Sequence, residues 1–525
     1  MRGHAFYKDE YQDAENLASL VQETDDVEEL SEFLSSLNGF FSVVVDADDE
    51  TVLASDRMRT GPVFYSVDDG KILVSDDCGW MTKETPPLTR SKVSEVEYET
   101  SRFVTSSNTL YKEISQLQSG EIVVFDKSSA DISTYQHHTH TTTNSRIDED
   151  ELRIEFQRVL DAAFERLIDA ADGRPIAVPL SGGYDSRLIA LMLKRLEYEN
   201  VITYTVNTGG DTLAIAERVA ENLGFPWVTA NVTHDEWGEF YNSDTWDEFF
   251  HSAAYLGGLP SPTEVPALMK LKRLGKIPED ALFVPGHSAL DSMKATPEEL
   301  ERANDIQLGR LTDHIVDQHF KYNESTRIPS CDIESRVAES IGMDTSIEPR
   351  SSVEAFERWR LKERRAKLII NGSRVYDFLG WDWWMPLEDE ALYEFWRRVP
   401  MSYKRHRSFY EEYIKILYAD IGAVSIDEAK STEDDSFKLM VADKLRGSLI
   451  WPLVSRSYAL WDNSWMKQKY MVEYKLEDIY QSDPRYGIMS KSELKEYYDG
   501  QSYIFFSLLS RDTLEKIDLG TVELS

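Results

Sequence analysis

The fold of this chain is most clearly indicated by residues 176–193, which read IAVPLSGGYDSRLIALML. The first five residues are apolar and have the length of a buried strand. A glycine-containing loop follows at 181–186, and beyond it apolar residues recur at helical spacing. The order strand, glycine loop, helix presents free backbone N–H groups at the positive end of a helix, where anions bind. The segment therefore predicts an anion-binding loop at the carboxyl end of a strand.

Each residue type in this loop suits a polyphosphate. Its members are Ser181, Gly182, Gly183, Tyr184, Asp185 and Ser186. The two glycines allow backbone angles closed to other residues and let an anion approach the chain. The two serines offer hydroxyl donors, and the aspartate can hold the Mg²⁺ that accompanies a polyphosphate. The motif is neither a Walker A loop nor a dinucleotide-binding GxGxxG sequence.

The segments after the loop alternate between strand and helix patterns. Residues 201–206 and 228–232 are strand-like, and residues 213–223 have a helical pattern that ends before Gly224. Such alternation predicts an α/β fold with a doubly wound parallel sheet, whose ligands lie beyond the carboxyl ends of the strands. We expect this domain to span residues 148–525 and to have a helical C-terminal part.

The N-terminal residues predict a separate β-rich domain. Residues 1–135 contain short apolar runs, with Asp69-Gly70 as a hairpin turn. Residues 136–147 form the expected linker and contain three histidines, namely His137, His138 and His140. A metal site is one interpretation of these histidines. A solvated linker is the preferred one, since no carboxylate or cysteine stands close by in the sequence.

The composition limits which partners and which cellular compartment are expected for this protein. The chain has 94 acidic and 57 basic residues and a net charge of −37, which favours a salt-adapted protein over a merely acidic one. A surface of this sign repels nucleic acid. We find no apolar stretch long enough for a membrane span and no secretory signal, so we expect a cytoplasmic protein without a membrane partner. Cys78 and Cys331 form neither a metal-binding spacing nor a redox motif.

The motif SGGxDS is the signature of ATP pyrophosphatases, and further segments resemble the asparagine synthetase family. In the N-terminal domain these segments are LNGFF at 37–41, SDR at 55–57 and TLYKEI at 109–114. The resemblance implies a glutaminase domain of the N-terminal-nucleophile hydrolase type. Family glutaminases use a cysteine exposed at residue 1, but here position 2 is Arg2 and no cysteine precedes Cys78. We therefore expect a degenerate domain that serves as a scaffold and does not hydrolyse glutamine.

A second resemblance lies in GWDWWMPLED at 380–389, which is similar to the family motif GVEaRvPFLD. It implies a catalytic role for Asp382, which stands at the family glutamate. Trp384 replaces the family arginine, and core packing and a stacking wall for a flat substrate are both open for the tryptophans here. The resemblance also implies that Lys430 neutralises charge at the reacting phosphate, with Lys404 as the alternative.

The largest departure from the family occurs at PGHSALD, residues 285–291, which stands where the family has GEGaDE. Gly286 is retained and is expected near the phosphates. Leu290 occupies the expected metal-ligand position, so either Asp291 moves into the metal site or Mg²⁺ rests mainly on Asp185. His287 is expected either to contact phosphate or to be a buried or capping histidine.

The resemblance implies an AMP-forming ligase with ATP and Mg²⁺ as cofactors. The carboxylate would belong to a small molecule or peptide, and nitrogen would come from ammonia, an amine or a partner enzyme that supplies ammonia; a homodimer stays open as an assembly. Asparagine synthesis from ammonia and an inactive nucleotide-binding scaffold are the alternatives. A tRNA-modifying pyrophosphatase is disfavoured by the acidic composition.

Overall fold

The structure is a computed structural model, and the part of the chain that it describes consists of several ranges. These are residues 1–143, 148–181, 183–206, 212–302, 308–320, 330–341, 348–405, 407–420, 483–489 and 504–518. We call residues 1–143 the N-terminal part and the described residues from 148 onward the C-terminal part. Two predicted site residues, Gly182 and Lys430, lie outside the described residues.

The N-terminal part is built from antiparallel sheets and short helices. Its strands are β1 Arg2–Tyr7, β2 Glu10–Gln12, β3 Asn38–Asp46, β4 Glu50–Ser55, β5 Phe64–Asp68, β6 Lys71–Ser75, β7 Ser115–Gln116, β8 Glu121–Asp126 and β9 Ile132–Gln136. Its helices are α1 Ala14–Val21, α2 Val27–Ser35, α3 Cys78–Glu84 and α4 Lys92–Ser101. One sheet has the order β2-β1-β3-β4-β8-β9, and the other has the order β6-β5-β7.

The predicted hairpin turn is confirmed by the backbone between β5 and β6. Asp69 and Gly70 have φ values of 48° and 76°. Positive φ at both central residues is the requirement of the tight turns that match the twist of paired strands. Asp68 accordingly pairs with Lys71 across the turn.

The C-terminal part contains the predicted parallel sheet. Its strands are β10 Ile176–Pro179, β11 Val201–Val206, β12 Trp227–Ala230 and β13 Leu282–Phe283, in the order β12-β11-β10-β13. The strand order reverses at β10, because the chain moves from β10 towards β12 and then returns to the other side as β13. Ligands of such sheets bind at the carboxyl ends beside this reversal.

Helices cover the sheet and extend the C-terminal part. The α-helices are α5 Glu149–Ala171, α6 Tyr184–Arg195, α7 Thr212–Leu223, α8 His234–Tyr241, α9 Asp244–Ser252, α10 Val265–Arg273, α11 Leu290–Met293, α12 Glu298–Glu301, α13 Leu308–His319, α14 Ser330–Ser340, α15 Ser352–Arg360, α16 Arg374–Phe378, α17 Glu390–Arg398, α18 Met401–Lys404, α19 Ser408–Asp420 and α20 Ile504–Asp518. A π-helix at Leu361–Ile369 continues α15, and 3-10 turns lie at Pro262–Glu264, Ile370–Ser373, Pro386–Glu388 and Pro484–Ile488.

The two parts share one hydrophobic core. Phe40 of β3 stacks on Trp383 with 5.6 Å between ring centroids, and His4 of β1 stacks on Trp384 at 5.1 Å. Trp381, Trp383 and Trp384 are all buried, so the interpretation of these tryptophans as core residues is confirmed. The aromatic replacement of the family arginine therefore serves the packing of the N-terminal part against the C-terminal part.

Polar contacts reinforce this packing around Asp389. Arg166 of α5 donates to both carboxylate oxygens of Asp389, at 2.8 and 2.7 Å. Asn38 of β3 donates to the same carboxylate at 2.8 Å, and its side-chain oxygen accepts from the backbone N–H of Glu390 at 3.0 Å. Asp389 also caps α17 by accepting from the N–H of Ala391. One buried carboxylate thus joins both parts of the molecule.

The histidines of the predicted linker pack between the two parts. His140 is 4% exposed, and its two ring nitrogens lie 2.7 Å from the Tyr393 hydroxyl and 3.0 Å from a carboxylate oxygen of Glu357. The prediction of a solvated histidine is therefore wrong for His140. The sequence did not show the nearby carboxylate, since Glu357 lies 217 residues along the chain. Among the helices within the described ranges, none is long and apolar enough to cross a membrane.

Candidate active site

The loop after β10 presents an uncapped helix N-terminus. Gly183 is the N-cap residue of α6, and no side chain caps this helix. The first N–H groups of a helix have no partner within it and carry partial positive charge. Helix α6 is 12 residues long and begins at the carboxyl end of β10. Its first N–H groups therefore lie at the edge of the sheet where ligands of such folds bind.

The two serines of the loop fix its shape. The Ser186 hydroxyl accepts from the backbone N–H of Ser181 at 3.1 Å, and the two hydroxyl oxygens lie 3.1 Å apart. The Ser181 hydroxyl also accepts from the N–H of Gly183 at 3.1 Å. The sequence suggested these hydroxyls as phosphate donors. In the structure each hydroxyl accepts a backbone N–H within the loop, so the two serines also hold the shape of the loop.

The loop opens into a cleft of about 490 Å³ at the point where the strand order reverses. One wall consists of the loop and the segment after β13, including Gly286 and His287. A Cβ atom added to Gly286 would lie 3.1 Å from the backbone nitrogen of Ser186 and 3.4 Å from the Asp185 side chain. The two predicted motifs therefore meet, and glycine is needed at 286 because the backbones approach so closely.

Asp185 stands at the start of α6 and lines the cleft. Its Oδ1 atom accepts from Arg407 at 2.6 Å and from the Tyr410 hydroxyl at 2.7 Å. Burial raises the pKa of Asp185, while the nearby Arg407 opposes that shift and the neighbouring Asp291 adds to it. Within the described residues both contacts fall on Oδ1, so Oδ2 is the atom through which Asp185 can meet a ligand.

Asp291 comes close to the same site although Leu290 has replaced the expected metal ligand. Leu290 is fully buried in the core, whereas the side chain of Asp291 is 42% exposed. Arg407 reaches Asp291 at 3.5 Å while it also binds Asp185. Burial acts to raise the pKa of Asp291, but the contacts with Lys294 and Arg407 lower it overall. Asp291 therefore lies within reach of the same guanidinium that binds Asp185.

The donor set suits a divalent cation, but a guanidinium already neutralises it. Two carboxylates beside a phosphate-binding loop are the kind of ligands that Mg²⁺ takes from protein, with phosphates and waters completing its shell. No cluster of three or more His, Cys, Asp or Glu side chains that could hold a metal occurs within the described ranges. Asp185, through its Oδ2 atom, and Asp291 are the residues that would hold Mg²⁺ here.

His287 lines the cleft as a neutral side chain. Burial lowers its pKa to about 4, with the nearby Arg365 acting in the same direction. A neutral imidazole is a weaker phosphate ligand than a charged one, because it can donate only one hydrogen bond and carries no charge. His287 is thus a partly buried, neutral side chain on the wall of the cleft.

The opposite wall of the cleft carries residues that no motif indicated. Glu264 accepts hydrogen bonds from the hydroxyls of Tyr204 at 3.2 Å and Tyr376 at 3.4 Å. Burial raises the pKa of Glu264. Arg102 from the N-terminal part and Phe506 of α20 complete this wall, with the guanidinium 4.7 Å from the ring centroid. The site is thus built from both ends of the chain.

Asp382 does not lie in the cleft. Its carboxylate is 64% exposed and accepts from Arg174 at 2.6 Å. Arg174 precedes β10, whereas the loop follows β10, so Asp382 lies at the opposite end of the sheet from Asp185. The alternative lysine, Lys404, is buried and donates to Glu357 at 2.9 Å. The structure brings neither residue to the phosphate-binding loop.

The N-terminal part shows no thiol suited to glutamine hydrolysis among its residues. Cys78 is fully buried, and burial raises the pKa of its thiol to about 12. A catalytic cysteine needs an accessible thiolate, which a low pKa provides. Arg2 lies in β1, where it pairs with Ser42 of β3 as part of a regular ladder.

Sequence reasoning missed Arg407, Tyr410 and Glu264. Arg407 lies 222 residues after its partner Asp185, and no motif surrounds it. The one usable signal was the spacing of Arg407 and Tyr410, which places two polar groups near each other at the start of a helix.

Comparisons with known proteins match each part of the chain to a domain family. Residues 155–243 match the family model described as asparagine synthase, and residues 2–136 match the one described as glutamine amidotransferase domain. The first match includes the loop at 181–186 but ends before Gly286. None of the curated proteins matches the chain.

Among solved structures, one similar chain is glutamine phosphoribosylpyrophosphate amidotransferase from B. subtilis, complexed with ADP and GMP. The identity is 12%, the alignment covers 53% of this chain and 55% of that enzyme, and the TM-score is 0.18. The chain thus spans about half the length of that enzyme, and a likeness this low carries no argument. The two family matches, taken together with the quoted motifs, support an asparagine-synthetase-like family for this chain.

Proposed function

We propose that this chain is an ATP-dependent ligase that activates a carboxylate as an acyl-adenylate and joins it to ammonia or an amine. The observation that carries the proposal is the uncapped N-terminus of α6, which opens beside Asp185 into a cleft of about 490 Å³. Sites for small molecules commonly enclose roughly 300–1,000 Å³. The asparagine synthase match over the loop supports the ligase class.

In the proposed reaction, a carboxylate oxygen attacks the α-phosphorus of ATP. The bond between that phosphorus and the oxygen bridging to the β-phosphate breaks, and pyrophosphate leaves with the electron pair. The backbone N–H groups at the start of α6 bind the leaving pyrophosphate. An amine nitrogen then attacks the acyl carbon, AMP departs, and the nitrogen releases a proton to yield the amide.

Several residues of the chain have proposed roles in this reaction. Asp185 and Asp291 would hold Mg²⁺, which when bound neutralises phosphate charge. Lys430 is proposed from the family resemblance as a further cation at the transferring group. Gly286 keeps the second loop close enough for both loops to contact the phosphates.

We also propose that residues 1–135 are a degenerate N-terminal-nucleophile-hydrolase-like domain, joined by 136–147 to a synthetase domain at 148–525. The burial of Cys78 supports a domain that does not hydrolyse glutamine. Nitrogen would then reach the cleft as free ammonia, as a substrate amine or from a partner enzyme. The net charge of −37 supports a protein that works at high salt.

The test is release of AMP and pyrophosphate from Mg²⁺-ATP in high-salt buffer that contains ammonia and a protein-free metabolite extract. The variant is Asp185→Asn. The matched control is Asp161→Asn, since Asp161 pairs with Arg195 at 2.7 Å and does not line the cleft. We expect AMP from wild type and from the control, and a loss of at least about a hundredfold in Asp185→Asn.

Exchange of labelled pyrophosphate into ATP, which requires a reversible adenylation, identifies the step and the carboxylate together. Fractions of the extract that support exchange contain the substrate. ADP in place of AMP would sink the α-phosphate mechanism. Exchange stimulated by aspartate would favour asparagine synthesis from ammonia over another amide ligation.

A second candidate function is an inactive nucleotide-binding scaffold. The observation that favours it is the replacement at Leu290, which is fully buried and cannot hold a metal, together with the contact of Arg407 with both remaining carboxylates. ATP binding without AMP release under every substrate condition would support this candidate.

A further inference from the structure

Arg407 stands between the two carboxylates of the cleft. One of its terminal nitrogens lies 2.6 Å from Asp185 Oδ1, and the other lies 3.5 Å from Asp291 Oδ1. The Arg407 side chain is 15% exposed and that of Asp185 is 14% exposed, so the first pair is largely shielded from water. A guanidinium is planar and carries donors in a fixed fork, so a single arginine can serve two acceptors at once.

The backbone at Arg407 has an uncommon conformation. Arg407 has a φ of 54°, in the left-handed region that non-glycine residues rarely adopt. Its carbonyl accepts from the N–H of Glu411 at 2.8 Å, which joins it to the first turn of α19. One turn along, Tyr410 binds the same oxygen of Asp185, and its ring centroid lies 4.7 Å from the Arg407 guanidinium. Such strained positions persist where surrounding contacts fix them, and they concentrate at functional sites.

The charge arrangement makes the arginine a substitute for a metal ion. Two carboxylates this close repel each other unless a cation lies between them. Lys294 contacts Asp291 and Arg365 lies near both acids, but Arg407 is the described cation that forms an ion-pair contact with each of them. A divalent cation that binds these two carboxylates therefore competes with the guanidinium for the same negative charge.

We propose that Arg407 is a tethered cation that competes with the divalent cation for Asp185 and Asp291. The proposal rests on the proposed function in that it takes this pair as the metal site of the nucleotide cleft. Metal binding to these carboxylates then weakens their contacts with the guanidinium, which lowers the apparent affinity for the metal.

The experiment measures Mn²⁺ binding to the full chain by electron paramagnetic resonance of the free ion, without nucleotide or turnover. Arg407→Gln is expected to bind Mn²⁺ at least about tenfold more tightly than wild type, the change that corresponds to about 1.4 kcal/mol. Arg407→Lys keeps the positive charge but loses the planar fork of donors, so its Mn²⁺ affinity is expected to lie between those of wild type and Arg407→Gln. Arg405→Gln is the matched control, since Arg405 pairs with Glu301 at 2.5 Å and not with either acid of the cleft.

The increase in Mn²⁺ affinity must disappear when Asp185→Asn is added to Arg407→Gln, because the proposed Mn²⁺ site includes the Asp185 carboxylate. Equal or weaker Mn²⁺ binding in a folded Arg407→Gln protein overturns the proposal, as does a gain that survives Asp185→Asn. If Arg407→Gln does not fold, Arg407→Lys decides, and unchanged affinity there overturns it. The Mn²⁺ measurement does not depend on turnover. A failure to release AMP would therefore count against the proposed ligase activity without changing the interpretation of Mn²⁺ binding.

Discussion

Buried carboxylates in two regions of the molecule have different surroundings. At the contact between the N-terminal and C-terminal parts, Asp389 accepts from Arg166, Asn38 and the N–H of Ala391, so both of its oxygens are engaged. In the cleft, the described contacts of Asp185 fall on one oxygen. A carboxylate whose acceptors are all used stabilises the fold, whereas one with an oxygen directed at open volume can receive a ligand.

The N-terminal part and the C-terminal part differ in the same way, one in contacts that stabilise the fold and the other in an open cleft. The N-terminal part contributes strands and interface contacts, and its cysteine is buried with a raised pKa. The C-terminal part keeps a cleft between two loops at the reversal of the strand order. We infer that the first region is retained for support and the second for chemistry. The predictions below test that division.

The largest effect is expected for Asp389→Ala at the contact between the parts. The substitution leaves Arg166 without its bidentate partner in a site where that arginine is 16% exposed, and it removes the cap of α17. Removing one partner of a buried ion pair typically lowers the free energy of unfolding by about 3–5 kcal/mol. Thermal and denaturant unfolding of the full chain measure it.

The matched control for that prediction is Asp46→Ala, because Asp46 is an exposed carboxylate at the end of β3 and pairs with Lys127 at 2.8 Å. It should leave the unfolding midpoint unchanged. A small effect of Asp389→Ala, comparable to that of the control, would contradict the view that saturated carboxylates hold the two parts together.

A pH-dependent effect is expected from Glu97 of α4, which accepts from Arg336 of α14 at 2.7 Å. Burial raises the pKa of Glu97 from 4.5 to about 7, although Arg336 opposes the shift. Between these values the folded protein binds more protons than the unfolded chain, so the contribution of Glu97 to stability is lost as the pH rises from about 4.5 to about 7. The loss should be on the order of 2 kcal/mol.

The measurement is the difference between the unfolding free energies of wild type and Glu97→Gln across that pH range. The glutamine does not titrate, so the wild type should lose stability relative to the variant as the pH rises. A difference that stays constant with pH would mean that Glu97 keeps an ordinary pKa in the folded protein.

Local sequence patterns predicted the elements and the loop well, for physical reasons that specific segments illustrate. The strand at 201–206 and the helix ending at Gly224 follow from apolar periodicity and from a glycine that adopts a φ of 70°. The loop was recognisable because its glycines, serines and aspartate stand together in the sequence. The close approach of Gly286 to that loop followed from the family resemblance.

The contacts that sequence reasoning could not supply are all distant along the chain. Arg407 and Tyr410 reach Asp185 across more than two hundred residues, and His140 meets Glu357 in the same way. Asp382 stands at the position of the family glutamate, yet its side chain lies at the amino end of the sheet beside Arg174. A local motif specifies residue types, whereas the packing of helices decides which side chains converge.

A smaller effect is expected for Gly286→Val on nucleotide binding. The Cβ atom would lie 3.1 Å from the backbone nitrogen of Ser186, so the two loops must separate and the N–H groups of α6 lose their positions. We expect ATP affinity to fall by at least about tenfold, or about 1.4 kcal/mol. Isothermal titration calorimetry with ATP measures it.

Gly309→Val is the control for this loop substitution, because Gly309 has open space around the position of its Cβ atom. Its ATP affinity should match that of wild type. Unchanged affinity in Gly286→Val would mean that the cleft does not bind ATP phosphates between the two loops.

The smallest effect is expected for Asp382→Asn, although Asp382 occupies the place of a family glutamate. Its carboxylate is 64% exposed and pairs with Arg174 at the amino end of β10, so exposure screens the pair and the substitution changes little in the cleft. AMP release should stay within about twofold of wild type, because exposed ion pairs contribute little and no charge is removed near the phosphates. A loss comparable to that of Asp185→Asn would show that Asp382 reaches the reacting groups through a rearrangement of residues 380–389. Residues 380–389 would then serve both the reaction and the contact between the two parts, since Asp389 at the end of this segment joins them.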